Sequence, residues 1–473
     1  MKQFKPYSHY RPTNINWINQ VPKHWSIGRI KNIMWEIDRR TVDGSEPLLS
    51  LTRAYGLIRY SKLNKKTPSS SSLISYKLCI KNEIVMNRMQ AWSGMFDLAC
   101  ETGLVSPDYS ILVPRPEMCP KYLVYVFRSK RFIEQFALRS KGIGSGFNRL
   151  YWNQLGQIEI FYPALEEQKA IVRFLDFKTT QISRLIYKKK RLIALLKEQK
   201  QAIINQTVTR GLDPNIRLKP SGVEWLEDLP VHWKLKRIRT VAKVKASGID
   251  KHSQEGEIPI NLCNYMDVYK NNEITNDINF MRATATTEEI RNFELQPDDV
   301  IITKDSESWK DIAVPSYVAE KLENVVCGYH LALLRPFTSQ LSGAFLCAAI
   351  SSDPIANQFR ISATGVTRYG LSQGSIKDAI IPVPSIEEQR SIAIYIKDRC
   401  KKINQTILHA SKEIDLIQEY RTRLISDVVT GKIDIRNIKI EEFDDADIQD
   451  ELIDIEELDE ESLALAEVAD END

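Results

Sequence analysis

The chain has 473 residues, and its 65 Lys or Arg side chains nearly balance its 62 Asp or Glu side chains, giving a formal net charge of +3. The balance is uneven, because residues 440–473 hold 17 acidic residues and no Lys or Arg, which leaves a net charge of +20 on the 439 residues before them. A basic body favours a polyanionic partner, nucleic acid first, although a solvated basic surface has the same composition.

Composition also excludes several classes of protein. No apolar run approaches the roughly 18 residues of a membrane span, and the N-terminus lacks the apolar stretch of a signal peptide. The seven cysteines form no CxxC pair, and the six histidines form no HxxxH or HExxH pattern. Scattered cysteines of odd number indicate reduced thiols, so we expect a cytoplasmic protein with no metal and no cofactor.

The first globular part mixes strands and helices. Residues 67–72 are predicted to form a loop, and residues 79–86 a turn that feeds a strand. A second strand over residues 110–113 is ended by Pro114, and residues 122–136 have the mostly apolar face of a helix. Strands and helices do not alternate as in βαβ units, so the predicted class is α+β.

A long helix follows this globular part. Residues 166–208 contain no Gly or Pro, and ten positions spaced alternately by four and three residues, starting at Ile171, include seven apolar residues. This pattern is an a/d seam with polar breaks and predicts a rod of roughly 64 Å that needs a partner. Gly211 stands where a C-terminal cap is expected.

The chain then repeats itself. The pattern Trp-x4-Pro-x-His-Trp begins at Trp17 and again 208 positions later at Trp225, and Pro-x2-Glu-Glu-Gln begins at Pro163 and again 221 positions later at Pro384. The residues between these anchors share little. Two copies of one scaffold therefore hold two different variable regions, although an old duplication with drift is the simpler alternative.

The second copy predicts the same elements. Residues 297–303 form a turn and strand, residues 330–336 a second strand, and residues 343–359 a helix. Its long helix starts with capping-box spacing at Ser385 and ends before Gly431. We expect the two long helices to pair antiparallel, with parallel pairing or pairing with another chain as alternatives.

Through these repeated motifs, the sequence up to about residue 436 resembles the specificity subunit of a type I restriction–modification system. The resemblance implies an α+β fold in which two target recognition domains are joined by two long antiparallel helices, which form a coiled-coil spacer with a pseudo-twofold internal repeat. The boundaries are a first recognition domain over 1–165, a central conserved helix over 166–215, a second recognition domain over 216–385, a C-terminal conserved helix over 386–436, and an acidic, disordered tail over 437–473.

The resemblance also implies function and partners. The subunit reads a bipartite double-stranded DNA target, its helices set the unread gap, and it recruits two methyltransferase subunits and two ATP-dependent restriction subunits. The tail is not part of the family pattern. It either contacts a basic partner surface, competes weakly with DNA for the body, or is a solvating tail.

The predicted DNA-contacting residues are polar and aromatic side chains beside strands and glycines, where loops carry function. In the first domain they are Arg53, Tyr55, Arg59, Tyr60, Arg88, Gln90, Trp92, Lys141, Asn148 and Arg149. In the second domain they are Lys304, Ser306, Trp309, Lys310, Thr367, Arg368 and Tyr369. The alternatives are solvated charges and packed loop anchors. His24 and His232 are interpreted as packing or hydrogen-bonding residues because no titratable partner is near them in the sequence.

Enzyme motifs are not found. An adenine methyltransferase needs a Pro-Pro in its base-holding motif, and the chain contains none. The glycines at 142–146 follow a helical stretch instead of a strand, which disfavours a nucleotide loop. We therefore predict no catalytic residues. A standalone methyltransferase or nuclease with an unrecognised site, and a coiled-coil adaptor that reads no sequence, remain the alternatives.

Overall fold

The computed structural model describes residues 4–53, 55–63, 68–142 and 148–438. The chain divides into two compact units, of which unit 1 comprises residues 1–189 and 412–473 and unit 2 comprises residues 190–411. Both units mix helices with mainly antiparallel sheets, which confirms the α+β class. The predicted domain boundaries stay predictions, and the tail from residue 439 onward lies outside the described residues.

Unit 1 contains twelve short strands and five short helices in its described residues. In chain order they are β1 (Tyr10–Ile15), β2 (Ile18–Pro22), β3 (Ser26–Arg29), α1 (Ile30–Ile33), β4 (Met34–Ile37), β5 (Leu49–Thr52), β6 (Gly56–Arg59), α2 (Ser70–Leu73), β7 (Lys77–Cys79), β8 (Ile84–Asn87), β9 (Phe96–Leu98), β10 (Gly103–Val105), β11 (Tyr109–Pro114), α3 (Pro120–Phe127), α4 (Lys130–Arg139), α5 (Trp152–Leu155) and β12 (Glu159–Tyr162).

An antiparallel sheet in the order β4-β11-β8-β9 forms the centre of unit 1. The inner strand β8 is apolar on both faces, since Ile84, Val85 and Met86 are all buried. A cluster of phenylalanines that includes Phe96 and Phe136, whose ring centroids are 4.9 Å apart, joins β9 to α3 and α4. Burial of such rings is a large part of the driving force for folding.

Unit 2 repeats this plan with additional strands. In chain order its elements are β13 (Leu218–Val223), β14 (Leu226–Pro230), β15 (Lys234–Arg237), β16 (Ala242–Ala246), β17 (Ile258–Cys263), α7 (Tyr265–Lys270), β18 (Glu273–Ile274), β19 (Met281–Ala285), α8 (Thr287–Phe293), β20 (Val300–Thr303), β21 (Asp305–Ser306), β22 (Pro315–Val318), β23 (Val325–Cys327), β24 (Leu331–Pro336), α9 (Gly343–Ser351), α10 (Asp353–Ser362), β25 (Tyr369–Gly370), α11 (Gln373–Asp378) and β26 (Ile380–Val383).

The main sheet of unit 2 has the order β16-β24-β20-β22-β18 and is antiparallel except between β18 and β22. Its first four strands match the four strands of unit 1 in order and direction. A second sheet, β19-β17-β23, matches an arrangement in unit 1, where β6 pairs antiparallel with β5 and a parallel bridge from Leu48 to Leu104 joins the start of β5 to β10. The strands of both sheets therefore form the shared scaffold, and β18 is added at the edge of the main sheet of unit 2.

The predicted strands are confirmed, but each predicted helix after the sheet is two helices. The chain becomes extended at Ser129 between α3 and α4 and at Ser352 between α9 and α10. Both serines are buried, and each hydroxyl donates a 2.6 Å hydrogen bond to the carbonyl three residues earlier. A serine that bonds the local backbone in this way competes with helix continuation. The predicted loop over 67–72 is also partly wrong, because a helical turn begins at Ser70.

Two long helices contribute to both units. Helix α6 covers Leu165–Arg210, and helix α12 covers Ile386–Val429. Within unit 1, the end of α12 lies beside the start of α6, and Lys189 Nζ donates to the carboxylate of Glu413. Within unit 2, Lys200 Nζ donates to Asn404 Oδ1 over 3.2 Å.

A tryptophan–glutamate hydrogen bond fixes the start of each long helix. In unit 1 the buried indole of Trp25 donates from Nε1 to Glu167 Oε1 over 3.0 Å, and His24 Nε2 lies 2.9 Å from Glu167 Oε2. In unit 2, Trp233 and His232 meet Glu388 with the same two distances. The histidines thus have the hydrogen-bonding role predicted for them, but they do have a titratable partner, which is 143 residues away for His24.

The glutamine that follows each glutamate is buried and bonds the loop beneath the helix. Gln168 accepts from the backbone N–H of Cys119 over 2.8 Å and donates to the carbonyl of Pro163. Gln389 accepts from Ser342 over 2.9 Å and donates to the carbonyl of Pro384. The Pro-x2-Glu-Glu-Gln pattern is therefore a structural joint between the globular part and its long helix.

The glycine after each long helix closes the same joint. Gly431 has a φ of +73° and lies so near Pro22 and Trp25 that a Cβ would be 2.6 Å from Pro22 Cδ. Gly211 has a φ of +76° and lies against Trp233. In each unit the tryptophan thus contacts the start of one long helix and the end of the other.

Replacement of Gly431 tests this joint, with Gly222 as a matched control. Both glycines have φ near +75°, but a Cβ at Gly222 meets no atom within 4 Å. Gly222→Ala should lower the free energy of unfolding by about 1–2 kcal/mol, because alanine is strained in the left-handed conformation. Gly431→Ala should lower it by about 1–3 kcal/mol more, because its Cβ also overpacks against Pro22. Urea unfolding of both variants measures the difference, and equal losses would contradict the close contact.

Candidate nucleic-acid interface

The same two segments meet beside the main sheet in each unit. The first segment follows the third strand of the main sheet, which is β8 in unit 1 and β20 in unit 2. The second segment connects α4 with α5 in unit 1 and α10 with α11 in unit 2. The N–H of Leu150 donates to the carbonyl of Arg88 over 3.0 Å in unit 1, and the N–H of Leu371 donates to the carbonyl of Lys304 over 2.9 Å in unit 2. We name the segments together the loop pair, with residues 88–95, 141–142 and 148–150 in unit 1 and residues 304–311 and 364–371 in unit 2.

Backbone hydrogen bonds hold the returning segment in both units. Lys141 and Arg149 exchange two N–H···O=C bonds of 2.9 and 2.8 Å, and Thr364 and Gly370 exchange two of 3.1 and 2.9 Å. In unit 2 the strand β25 in this segment also pairs with β21. The loop pair thus brings together segments that the sequence predicted separately. Residues 143–147 lie outside the described residues.

Each loop pair presents a tryptophan on a short 3₁₀ turn. Trp92 lies in the turn Ala91–Ser93 and is 45% exposed, and Trp309 lies in the turn Trp309–Asp311 and is 47% exposed. The indole of Trp92 donates to the carbonyl of Met89 over 2.8 Å, which fixes its orientation. Lys310 Nζ lies 5.9 Å from the ring centroid of Trp309. Exposed indoles on fixed turns can contact base methyls or stack on bases.

The predicted arginines of the unit 1 loop pair are held by carboxylates. Arg88 donates to Ser110 Oγ over 2.7 Å and to Glu36 Oε1 over 2.8 Å, beside the main sheet. Arg149 donates to Asp108 Oδ2 over 3.3 Å. Arg88 is therefore the less exposed of the two. Gln90, Lys141 and Asn148 lie in the same loop pair at the surface or partly exposed.

The remaining predicted residues of unit 1 lie elsewhere, on the hairpin β5–β6. They are Arg53, Tyr55, Arg59 and Tyr60. Arg59 donates to both carboxylate oxygens of Glu101, and this hydrogen-bonded ion pair lowers the pKa of Glu101. The hairpin lies beside β9 because Asp97 of β9 accepts from the N–H of Leu57 over 2.8 Å.

Unit 2 has a chain of four polar side chains, of which three belong to its loop pair and the fourth, His330, directly precedes β24. Lys304 Nζ donates to Asp305, His330 Nδ1 lies 2.8 Å from Asp305 Oδ2, and Arg368 donates to His330 Nε2 over 3.0 Å. Burial alone would raise the pKa of Asp305, but the hydrogen bonds from Lys304 and His330 and the positive charge of Lys304 outweigh it and lower the pKa. His330 has a φ of +67° and was not predicted as a site residue.

The other predicted residues of unit 2 differ in exposure. Ser306 is only 8% exposed, and its hydroxyl contacts Tyr265 and the N–H of Ser308. Tyr369 is partly buried against the core of the unit. Thr367 and Arg368 are exposed. Exposure thus makes Arg368 and Thr367 better placed to reach a ligand than Ser306.

Within the described part of the chain, no group of three or more His, Cys, Asp or Glu side chains could hold a metal ion. No helix there contains a stretch of 18 residues apolar enough to span a membrane.

Several known proteins are similar to this chain in sequence or in fold. Residues 230–413 match the family model described as the type I restriction modification DNA specificity domain. The MjaVIII specificity subunit of Methanocaldococcus jannaschii is 21% identical over 434 residues, covering 89% of this chain and 95% of that protein. The EcoKI specificity subunit of Escherichia coli K12 is 21% identical over 281 residues, covering 58% of each chain.

Two solved structures are similar in fold. A chain from a study of complex assembly and conformational transition of the type I R-M system has a TM-score of 0.67, with 15% identity, 87% of this chain covered and 99% of that chain. The HsdS subunit from Thermoanaerobacter tengcongensis has a TM-score of 0.50, with 14% identity, 89% of this chain covered and 100% of that chain.

The lowered pKa of Asp305 predicts a pH-dependent contribution to stability. A carboxyl group with a lowered folded-state pKa stabilises the fold above its unfolded pKa of about 4, and the contribution is lost as the pH falls through the folded value. Wild type should therefore exceed Asp305→Asn in unfolding free energy at pH 7, and the difference should shrink towards pH 3. Asp228→Asn, which changes an exposed carboxylate on β14, is the control. A difference that stays constant with pH would contradict the assignment.

Proposed function

Because this chain is a specificity subunit of the type I restriction–modification family, we propose that it reads an asymmetric, bipartite DNA target. It is the DNA sequence-recognition subunit of the system and the non-catalytic member of a methyltransferase and endonuclease complex. Its role in methylation and cleavage is to position other subunits on DNA.

The occurrence of one loop pair in each unit carries this proposal. The two loop pairs have the same place beside the same four strands, yet the side chains in and next to them differ: Arg88 and the neighbouring Asp108 in unit 1 correspond to Lys304 and the neighbouring His330 in unit 2. Sequence is read by side chains at base edges, while cations on phosphates fix position. Two unlike sets of side chains on one scaffold suit a target with two unlike halves.

The proposed spacer consists of α6 and α12. In this proposal two target recognition domains, residues 1–165 and 216–385, are joined by two antiparallel helices that form a coiled coil with pseudo-twofold symmetry. The helices have 46 and 44 residues. At about 1.5 Å per residue they are about 66–69 Å long, which equals about two turns of B-DNA at roughly 34–36 Å per turn. Their length would set the unread gap.

Apolar side chains on the long helices support further partners. Leu192 and Leu195 of α6 and Leu408 and Leu416 of α12 are between 43% and 64% exposed. Exposed apolar rows on a helix are typical of protein interfaces. We propose that two methyltransferase subunits bind the chain and that two ATP-dependent restriction subunits complete the nuclease.

Methylation mapping tests the proposed function. The chain is co-expressed with its methyltransferase subunits, and methylated adenines are mapped across the host genome. We expect one bipartite, gapped and asymmetric motif. Replacement of residues 216–385 by the corresponding domain of a relative should change one half of the motif and leave the other half and the gap unchanged.

Three outcomes would contradict the proposal. A continuous motif would contradict two-domain reading. Methylation without sequence preference would favour an adaptor that reads no sequence. Methyl transfer from labelled S-adenosylmethionine by the purified chain alone would identify an enzyme.

A further inference from the structure

The residue directly before the second strand of the main sheet has the same role in both units. In unit 1 this residue is Asp108, which precedes β11, and in unit 2 it is His330, which precedes β24. The strand registers match, because Tyr109 pairs with Asn87 at the end of β8 and Leu331 pairs with Thr303 at the end of β20. Asp108 and His330 are thus equivalent in the scaffold despite their different chemistry.

Each of these residues holds an arginine of the returning segment. Asp108 Oδ2 accepts from the guanidinium of Arg149 over 3.3 Å, and His330 Nε2 accepts from the guanidinium of Arg368 over 3.0 Å. Arg149 lies one residue before Leu150, and Arg368 lies three residues before the equivalent Leu371. In both units the residue before the strand therefore bonds an arginine of the returning segment, although the two arginines differ in position by two residues.

The acceptor in unit 2 has a defined protonation pattern. A guanidinium has no acceptor, so Arg368 must donate and His330 Nε2 must be unprotonated. The imidazole proton then lies on Nδ1, which donates to Asp305 Oδ2 over 2.8 Å. Asp305 accepts from Lys304 as well. The side chains of Lys304, Asp305 and His330 are each at most 20% exposed, so the support behind Arg368 is largely buried.

His330 also has an unusual backbone conformation. Its φ of +67° lies in the left-handed region, which non-glycine residues rarely adopt. Such conformations cluster at functional sites, where the surrounding structure maintains them. Here the conformation belongs to the residue that connects Asp305 with the exposed guanidinium of Arg368.

We propose that Asp108 and His330 are positioning residues that hold Arg149 and Arg368 in the orientation that reads a guanine in each half of the DNA target. A guanidinium has five N–H donors in a planar fork, so one bond to the positioning residue leaves donors for the O6 and N7 atoms of guanine. Arginine is otherwise a long side chain with many rotamers, and holding it in advance favours binding. The inference rests on the proposed function, since it assigns the residues that carry base discrimination within it.

Four variants of the complex with methyltransferase subunits test the proposal, in pairs. Arg368→Lys keeps the positive charge but removes the planar fork, and His330→Asn keeps a residue that tolerates positive φ but is too short to join Asp305 to Arg368. Both should lower discrimination at one and the same guanine of one half-site by about 5- to 100-fold, the range of a lost bidentate contact. Arg149→Lys and Asp108→Ala should do so in the other half-site.

Two further variants separate positioning from a general effect on the fold. Asp108→Asn retains an oxygen acceptor for Arg149 and should keep most of the discrimination that Asp108→Ala loses. Arg210→Ala removes an exposed arginine at the end of α6, outside the loop pair, and should leave both half-sites unchanged. Assembly with the methyltransferase subunits and the thermal midpoint are measured for every variant.

The readouts are adenine methylation mapping and binding to duplexes that carry each base at every half-site position. An unchanged motif in His330→Asn and Asp108→Ala, or loss in both half-sites at once, would overturn the proposal while the wild-type gapped motif still supported the proposed function. A uniform loss of affinity over all sequences with a smaller salt dependence would identify phosphate contacts and overturn it too. A wild-type complex without a gapped motif would instead refute the proposed function itself.

Discussion

The hydrogen bond from a buried indole to the first-turn glutamate of a long helix is the contact on which the rest of each unit depends. Trp25 with Glu167 and Trp233 with Glu388 have the same 3.0 Å bond. A buried N–H that loses its acceptor costs about 1–3 kcal/mol, and each of these carboxylates also meets a histidine. In unit 1, Tyr7 donates to Glu167 as well, over 2.7 Å. The joint therefore tolerates few substitutions, which explains why its residues recur while the segments between them differ.

The fixed joint allows the loop pair to vary. The central strands β8 and β11 of unit 1 have the same lengths and pairing register as β20 and β24 of unit 2. One equivalent backbone bond joins the two segments of the loop pair in each unit. Side chains on that backbone can change without loss of the joint, since the joint residues lie in other elements. The carboxylate of Asp108 and the imidazole of His330 are such a change at one position. One backbone arrangement therefore carries two different sets of side chains.

Much of the fold could be predicted from the sequence, because it depends on local patterns and on an internal repeat. The heptad spacing after Ile171 predicts α6, and the apolar run ending at Thr303 predicts β20. The contacts of the joint could not be predicted, since Trp25 and Glu167 are 142 residues apart and spacing says nothing about distant pairs. The helix breaks at Ser129 and Ser352 were missed because serine is compatible with either a helix or a turn.

The candidate site was predicted less completely. The sequence indicated the segments around Trp92, Arg149, Trp309 and Arg368, but it did not indicate that each unit brings two of these segments together. His330 was assigned to a strand, because no local pattern marks a residue that precedes a strand with positive φ. Arg88 was predicted as an exposed contact, yet its partners Glu36 and Ser110 come from two other strands of the sheet. Such partners follow from the sheet order, which a single sequence does not give.

The claim that two reading domains are separated by a helical spacer is tested most directly by lengthening the spacer. Seven residues that continue the heptad pattern are inserted into α6 after Lys190 and into α12 after Ser411, which preserves the seam. Seven residues add about 10 Å of helix, which corresponds to roughly three base pairs of DNA. Methylation mapping should then give the same two half-sites with a gap about three base pairs longer. An unchanged gap, or altered half-sites, would contradict the spacer.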